Sequence, residues 1–120
     1  VIVLMIEKAA AVEALDEILA VPGIDMIQWG PADYAMSIGR PGDWYHPDVK
    51  AVERMVLEKA IAAGIPPRAE ITEPAEAEPY LEMGVKHFCI GTDLVILHDW
   101  LQPRGQALGE LLERTAEPGG

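Results

Sequence analysis

The sequence predicts an α/β region in which parallel strands alternate with helices, and three observations carry that prediction. Four short strand-like segments each precede a stretch of helical periodicity or helix-forming composition. The first run, Val1-Ile2-Val3-Leu4-Met5-Ile6, is wholly apolar, as strands are when both faces of a sheet are covered. The first two runs also end alike, one on Glu7 and the other at Gln28-Trp29-Gly30-Pro31-Ala32-Asp33. Parallel strands gather the residues beyond their carboxyl ends at one rim, where ligands bind.

In chain order, residues 1–6 make the first predicted strand. Val12, Leu15, Ile18 and Leu19 then recur at helical spacing opposite Glu13, Asp16 and Glu17, which predicts one amphipathic helix over residues 9–20. Val21-Pro22-Gly23 stops it, and residues 24–29 supply the second strand. Residues 34–38 fit a short helical turn, ahead of a loop over residues 39–46 rich in breakers and aromatics. Pro47 suits the first position of a helix marked by Val49, Val52, Val56, Leu57 and Ile61 and closed by Gly64. Residues 68–71 make a short third strand. Thr72 resembles an N-cap for a helix over residues 73–83, with Pro79 near its middle. Residues 85–90 make the fourth strand, before Gly91-Thr92-Asp93. A helical segment over residues 94–115, interrupted at Pro103 and Gly105, and a Glu-Pro-Gly-Gly tail complete the chain. Two architectures fit this order: an open doubly wound domain, or half of a (β/α)8 barrel, which needs about twice this length.

Composition narrows the class. With 50% hydrophobic residues, the 120-residue chain has the material for a core. Its net charge of -11 argues against nucleic acid or an anionic membrane surface as partner, since no basic stripe is available to neutralise phosphates. Cys89 is the single cysteine, so a disulfide framework and a Cys/His zinc spacing are both excluded, and a reducing cytoplasm is the expected location. The opening apolar run is too short to span a bilayer and lacks the flanks of a signal peptide. Because the chain opens on Val1 rather than Met, it is expected to be part of a larger protein.

Glu7 and Asp33 are the candidate site residues. Two hard oxygen donors at neighbouring strand ends suit a divalent ion such as Mg²⁺ or Mn²⁺ that completes its shell with water and substrate oxygens. The competing readings are an acidic first-turn residue for Glu7 and an N-cap for Asp33. In the loop, Arg40 is a candidate for an anionic ligand or a solvated charge, and His46 for a proton shuttle or a turn residue before proline. The dinucleotide, P-loop, zinc-protease and serine-hydrolase motifs are absent.

Residues 6–7, 11–25, 30–33, 37–39 and 91–94 together resemble the carboxyl-terminal half of the HpcH/HpaI aldolase family, the metal-dependent pyruvate aldolases. The resemblance covers nearly the whole chain. It implies that residues 1–120 form a single α/β region within a larger (β/α)8 TIM barrel. It implies a class II aldolase, a carbon–carbon lyase that cleaves a 4-hydroxy-2-oxo acid to pyruvate and an aldehyde through a metal-bound pyruvate enolate. Glu7 and Asp33 then match the ligands of Mg²⁺, Mn²⁺ or Co²⁺, and the backbone at Gly30, Ala32 and Asp33 meets the pyruvate carboxylate. A homo-oligomer is implied as well, which the apolar positions Trp100, Leu101, Leu108, Leu111 and Leu112 also suggest.

The sequence departs from the family in places. Lys8 stands where a small hydroxyl residue is more common, and Glu70 where an apolar one is. No residue matches the family's keto-polarising arginine or its histidine acid/base, so the catalytic base stays unassigned. Two other classes are carried: a receiver-like Mg²⁺-binding signalling module, disfavoured because Glu7 is followed by Lys8 rather than a second acid, and a catalytically incomplete structural fragment.

Overall fold

The structure, a computed structural model, describes residues 1–116; the expected tail, residues 117–120, lies outside the described residues. The chain divides into two compact units, Val1–Ile90 and Gly91–Gly120. The first contains β1 (Val3–Ile6), α1 (Ala9–Glu13), α2 (Leu15–Leu19), β2 (Met26–Trp29), α3 (Pro31–Ser37), α4 (Pro47–Ala62), β3 (Pro67–Ile71), a 3₁₀ turn (Pro74–Ala77), α5 (Glu78–Glu82) and β4 (His87–Ile90). The second contains α6 (Asp93–Ala116).

The four strands form one sheet in the order β1-β2-β3-β4, every pair parallel. That order never reverses, so these strands contain no topological switch point of the doubly wound kind. Val3 to Ile6 pair with Met26 to Trp29 in sequence, Gln28 pairs with Arg68, and Arg68 with His87.

Because side chains alternate along each strand, the register sorts them onto two faces. Ile6, Ile27 and Trp29 point to one face and are buried in a cluster with Leu15 of α2 and with Val49, Val56 and Ala60 of α4. Ala69 of β3 is buried with Leu57 of α4 and Val85. The other face carries Met5, 46% exposed, beside Gln28, Arg68, Glu70 and Cys89. The wholly apolar β1 was expected to be covered on both faces; among the described residues only one face of it is.

Several element boundaries differ from expectation. The helix expected over residues 9–20 bends at Ala14, whose φ/ψ of -91/13 leaves the helical range. Hydrogen bonds from Ala14 N–H to the Ala10 carbonyl and from Ile18 N–H to the Ala14 carbonyl run through the bend. The helix expected over residues 73–83 is a 3₁₀ turn followed by α5, with Pro79 in the first turn of α5, where a missing N–H costs nothing. Thr72 does not cap it: Glu73 is the N-cap, and the Thr72 amide donates to the Glu76 carboxylate at 2.8 Å. Conversely, α6 is not interrupted at Pro103 and Gly105. Proline removes one helical hydrogen bond there, while the Arg104 guanidinium stacks 3.9 Å from the Trp100 ring centre and donates to the Trp100 carbonyl at 2.7 Å. None of the described helices is long and apolar enough to cross a membrane.

Candidate active site

The site begins where β1 and β2 stop. The Gly30 N–H donates to the Ile6 carbonyl at 3.0 Å, which carries the strand pairing one step beyond Trp29 and lays Gly30 against Glu7. Gly30 is buried, and a Cβ placed on it would lie 2.6 Å from Glu7 Cβ and 3.3 Å from Glu7 Oε2. Its φ of -112° is open to any residue, so space rather than backbone conformation demands glycine here.

Asp33 follows within one turn. Gly30 is the N-cap of α3, Pro31 opens the helix, and Asp33 lies in its first turn, where a carboxylate is favoured by the helix dipole. The N-cap reading of Asp33 is therefore incorrect. The Tyr34 N–H donates back to the Gly30 carbonyl, whereas the Ala32 and Asp33 amides have no partner among the described residues. Glu7 is half-buried and Asp33 exposed, and among the described residues neither carboxylate makes a hydrogen bond or an ion pair.

Two contacts hold α3 in place that sequence reasoning did not find. Trp29 and Tyr34, both buried, pack with ring centres 4.7 Å apart and tilted by 48°. Ser37, near the far end of α3, accepts the Ala9 N–H at 3.0 Å and donates to the Tyr34 carbonyl at 2.8 Å. That hydroxyl ties α3 to the start of α1, two residues past Glu7. Ser37 was visible only as part of a motif, since its partner lies 28 residues away.

The loop candidates have structural partners instead. Arg40 lies 3.7 Å from both Asp43 and Asp48, and His46 caps α4 by accepting the Asp48 N–H at Nδ1, 3.1 Å away. Lys8 is the exposed N-cap of α1, with no ion-pair partner among the described residues.

As a cation site, the pair Glu7 and Asp33 fits one class of ion. The described residues contain no group of three or more His, Cys, Asp and Glu able to hold a metal, which leaves out an all-protein cage. Two unpartnered carboxylates at one strand-end edge suit a hard ion that keeps several positions for water or ligand oxygens.

The family model for the HpcH/HpaI aldolase/citrate lyase family matches residues 1–98. The chain belongs to this family. It is 36% identical over 103 residues to a 2-keto-3-deoxy-L-rhamnonate aldolase of Klebsiella pneumoniae, a match covering 86% of this chain and 39% of that one. Among solved structures, the citrate synthase SbnG superposes with a TM-score of 0.84 at 27% identity, covering 92% of this chain and 45% of that one. An HpcH/HpaI aldolase from Desulfitobacterium hafniense superposes with a TM-score of 0.75 at 25% identity, covering 98% and 43%. The chain spans about two fifths of the length of the curated relatives it matches.

Proposed function

We propose that this chain carries the metal and pyruvate half of a class II aldolase, cleaving a 4-hydroxy-2-oxo acid to pyruvate and an aldehyde. The observation that carries the reading is the pair of carboxylates without partners among the described residues, Glu7 beyond β1 against Gly30 and Asp33 in the first helical turn after β2. Glu7 and Asp33 are the ligands of Mg²⁺, Mn²⁺ or Co²⁺. Held there, the cation would supply positive charge where the enolate of pyruvate develops. The free amides of Ala32 and Asp33 receive the pyruvate carboxylate as oriented donors, and the backbone at Gly30, whose own N–H is held by Ile6, lies against it.

Cleavage breaks the bond between C3 and C4 of the substrate. The C4 hydroxyl loses its proton as the aldehyde forms, and C3 of the pyruvate fragment gains one. Groups that move such protons contribute typically 10²–10⁴-fold. Glu7 and Asp33, serving as ligands, are not those groups, and His46 is engaged as a cap. We assign proton transfer to the share of the relatives' length that this chain does not span. The unreversed strand order supports a (β/α)8 barrel, of which residues 1–120 form one α/β region in the carboxyl-terminal half.

A homo-oligomer in the cytoplasm completes the proposal. Along α6, Leu94, Trp100, Leu101, Leu108 and Leu112 are each more than half exposed, an apolar surface that favours a partner. Pyruvate release from a 4-hydroxy-2-oxo acid, measured in the natural polypeptide with and without Mn²⁺, tests the reading. Release that requires Mn²⁺ and is lost in both Glu7→Gln and Asp33→Asn is expected. Release at full rate in a chelator, or in both variants, would contradict it.

A further inference from the structure

Helix α1 begins without a cap of its own. Its N-cap residue, Lys8, has extended backbone at φ/ψ of -136/148 and makes no capping hydrogen bond. A lysine side chain carries only donors, whereas the first turn of a helix needs acceptors. The acceptor comes from α3: Ser37 Oγ takes the N–H of Ala9, the first residue of α1, at 3.0 Å. A hydroxyl 28 residues away thus does for this amide what an N-cap side chain does for the two that follow it.

The cap joins the two segments that carry the carboxylates. Glu7 lies two residues before Ala9, and Asp33 four residues before Ser37. Residues four apart share one face of a helix, so the face of α3 that meets Ala9 is the face that carries Asp33. The hydroxyl also donates to the Tyr34 carbonyl at 2.8 Å, while the Tyr34 N–H donates to the Gly30 carbonyl and its ring packs on Trp29. On the strand side, the Gly30 N–H holds the Ile6 carbonyl. Two ties, one at the strand ends and one through Ser37, therefore set how far the Glu7 backbone stands from that of Asp33.

We infer that Ser37 is a positioning residue for the cation site: by holding the Glu7 and Asp33 segments at one separation, it favours a small octahedral ion such as Mg²⁺ over the larger Ca²⁺. That role rests on the metal reading of the proposed function. Mg²⁺ demands near-ideal octahedral geometry, whereas Ca²⁺ accepts larger and more flexible shells. Two carboxylates free to drift apart therefore lose more of their hold on the first ion than on the second.

The test is calorimetric titration of the natural polypeptide with Mn²⁺, followed by displacement with Mg²⁺ and with Ca²⁺. Ser37→Ala is expected to weaken Mn²⁺ and Mg²⁺ binding about tenfold, the lower end of the range for groups that orient ligands. Ca²⁺ binding should change by less than about threefold. Ser37→Thr keeps the hydroxyl and should bind all three ions as the natural protein does. Lys8→Thr separates positioning from capping, because it gives α1 a cap of its own. In that background Ser37→Ala should cost less stability in chemical denaturation, yet still weaken Mn²⁺ binding about tenfold relative to Lys8→Thr alone. If the loss of affinity vanishes there, Ser37 is a cap only and the inference is overturned. Unchanged Mn²⁺ affinity in Ser37→Ala, or an equal loss for Mg²⁺ and Ca²⁺, overturns it as well. Absence of Mn²⁺ binding in the natural polypeptide overturns the metal reading and this inference together. Binding that is lost in Glu7→Gln and Asp33→Asn but intact in Ser37→Ala overturns this inference alone.

Discussion

Glu53 and Glu7 are carboxylates of the same unit in opposite circumstances. Glu53, on α4, is 6% exposed, and both of its oxygens are matched: the Tyr80 hydroxyl donates to one at 2.9 Å and the Lys50 ammonium to the other at 2.7 Å. Glu7 is half-buried against Gly30, with no partner among the described residues, and Asp33 is likewise bare. A buried acid with matched oxygens holds α4 to α5, and its chemistry is complete within the protein. Glu7 just past β1 and Asp33 in the first turn of α3 carry no such partners among the described residues, and the proposed function gives them a cation. The surroundings, and not the residue type, separate the structural acid Glu53 from the proposed ligand Glu7.

Gly30 is the place to break the bare site without touching its charges. Gly30→Ala puts a methyl group 2.6 Å from Glu7 Cβ, an atom bonded directly to its backbone, and 3.2 Å from Met5 Sδ. Overpacking of this kind costs up to about 3 kcal/mol, and Mn²⁺ affinity should fall with it because Glu7 is displaced. Chemical denaturation together with metal titration checks both. Unchanged stability and affinity would mean that the contact is looser than described.

The matched site answers to alkali. Burial lowers the affinity of Lys50 for its proton, but the hydrogen bond and charge of Glu53 outweigh it, and the value is raised above the ordinary 10.5. Tyr80 is raised above its ordinary 10.0 by burial first and the Glu53 charge second. Both shifts favour the protonated form in the folded state. Their stabilisation is therefore full below about pH 10 and is lost as pH rises through the folded values. Glu53→Gln should lower stability at pH 7 by about 1–2 kcal/mol and flatten the decline of stability above pH 10. Denaturation midpoints from pH 7 to 11 measure it, and an alkaline limb as steep as that of the natural protein would count against the cluster.

Ser37→Ala is the mildest of the three. Losing the bond from the Ala9 amide should cost about 0.5–1 kcal/mol, and faster amide exchange at Ala9 is the expected signature. If Ala9 exchanges at the natural rate in the variant, the tether between α1 and α3 is not what holds that amide.

Much of this was legible beforehand. The alternation of strands and helices follows from the apolar runs and from stops such as Val21-Pro22-Gly23, and Glu7 and Asp33 stand out because each ends such a run. What stayed hidden depends on register. That Gly30 touches Glu7, that Ser37 meets Ala9 and that Gln28 bridges Arg68 and Glu70 are contacts between segments 23 to 42 residues apart in the numbering. Local propensity carries no information about such pairings. The continuity of α6 through Pro103 was missed for a different reason: proline removes a single N–H, and the helix runs on to Ala116 despite it. The polar side chains of β3 also read ambiguously, since only the pairing with β2 assigns Arg68 and Glu70 to the face away from the helices.

Whether Glu7 and Asp33 share one divalent ion is decided by calorimetric titration with Mn²⁺. The natural polypeptide should bind one Mn²⁺ per chain at this site. Glu7→Gln and Asp33→Asn should each weaken binding by more than about a hundredfold, beyond the 10–100-fold typical of groups that merely orient ligands, while Glu53→Gln should bind as the natural protein does. Equal affinity in all four proteins, or a loss confined to Glu53→Gln, would show that Glu7 and Asp33 do not hold the ion.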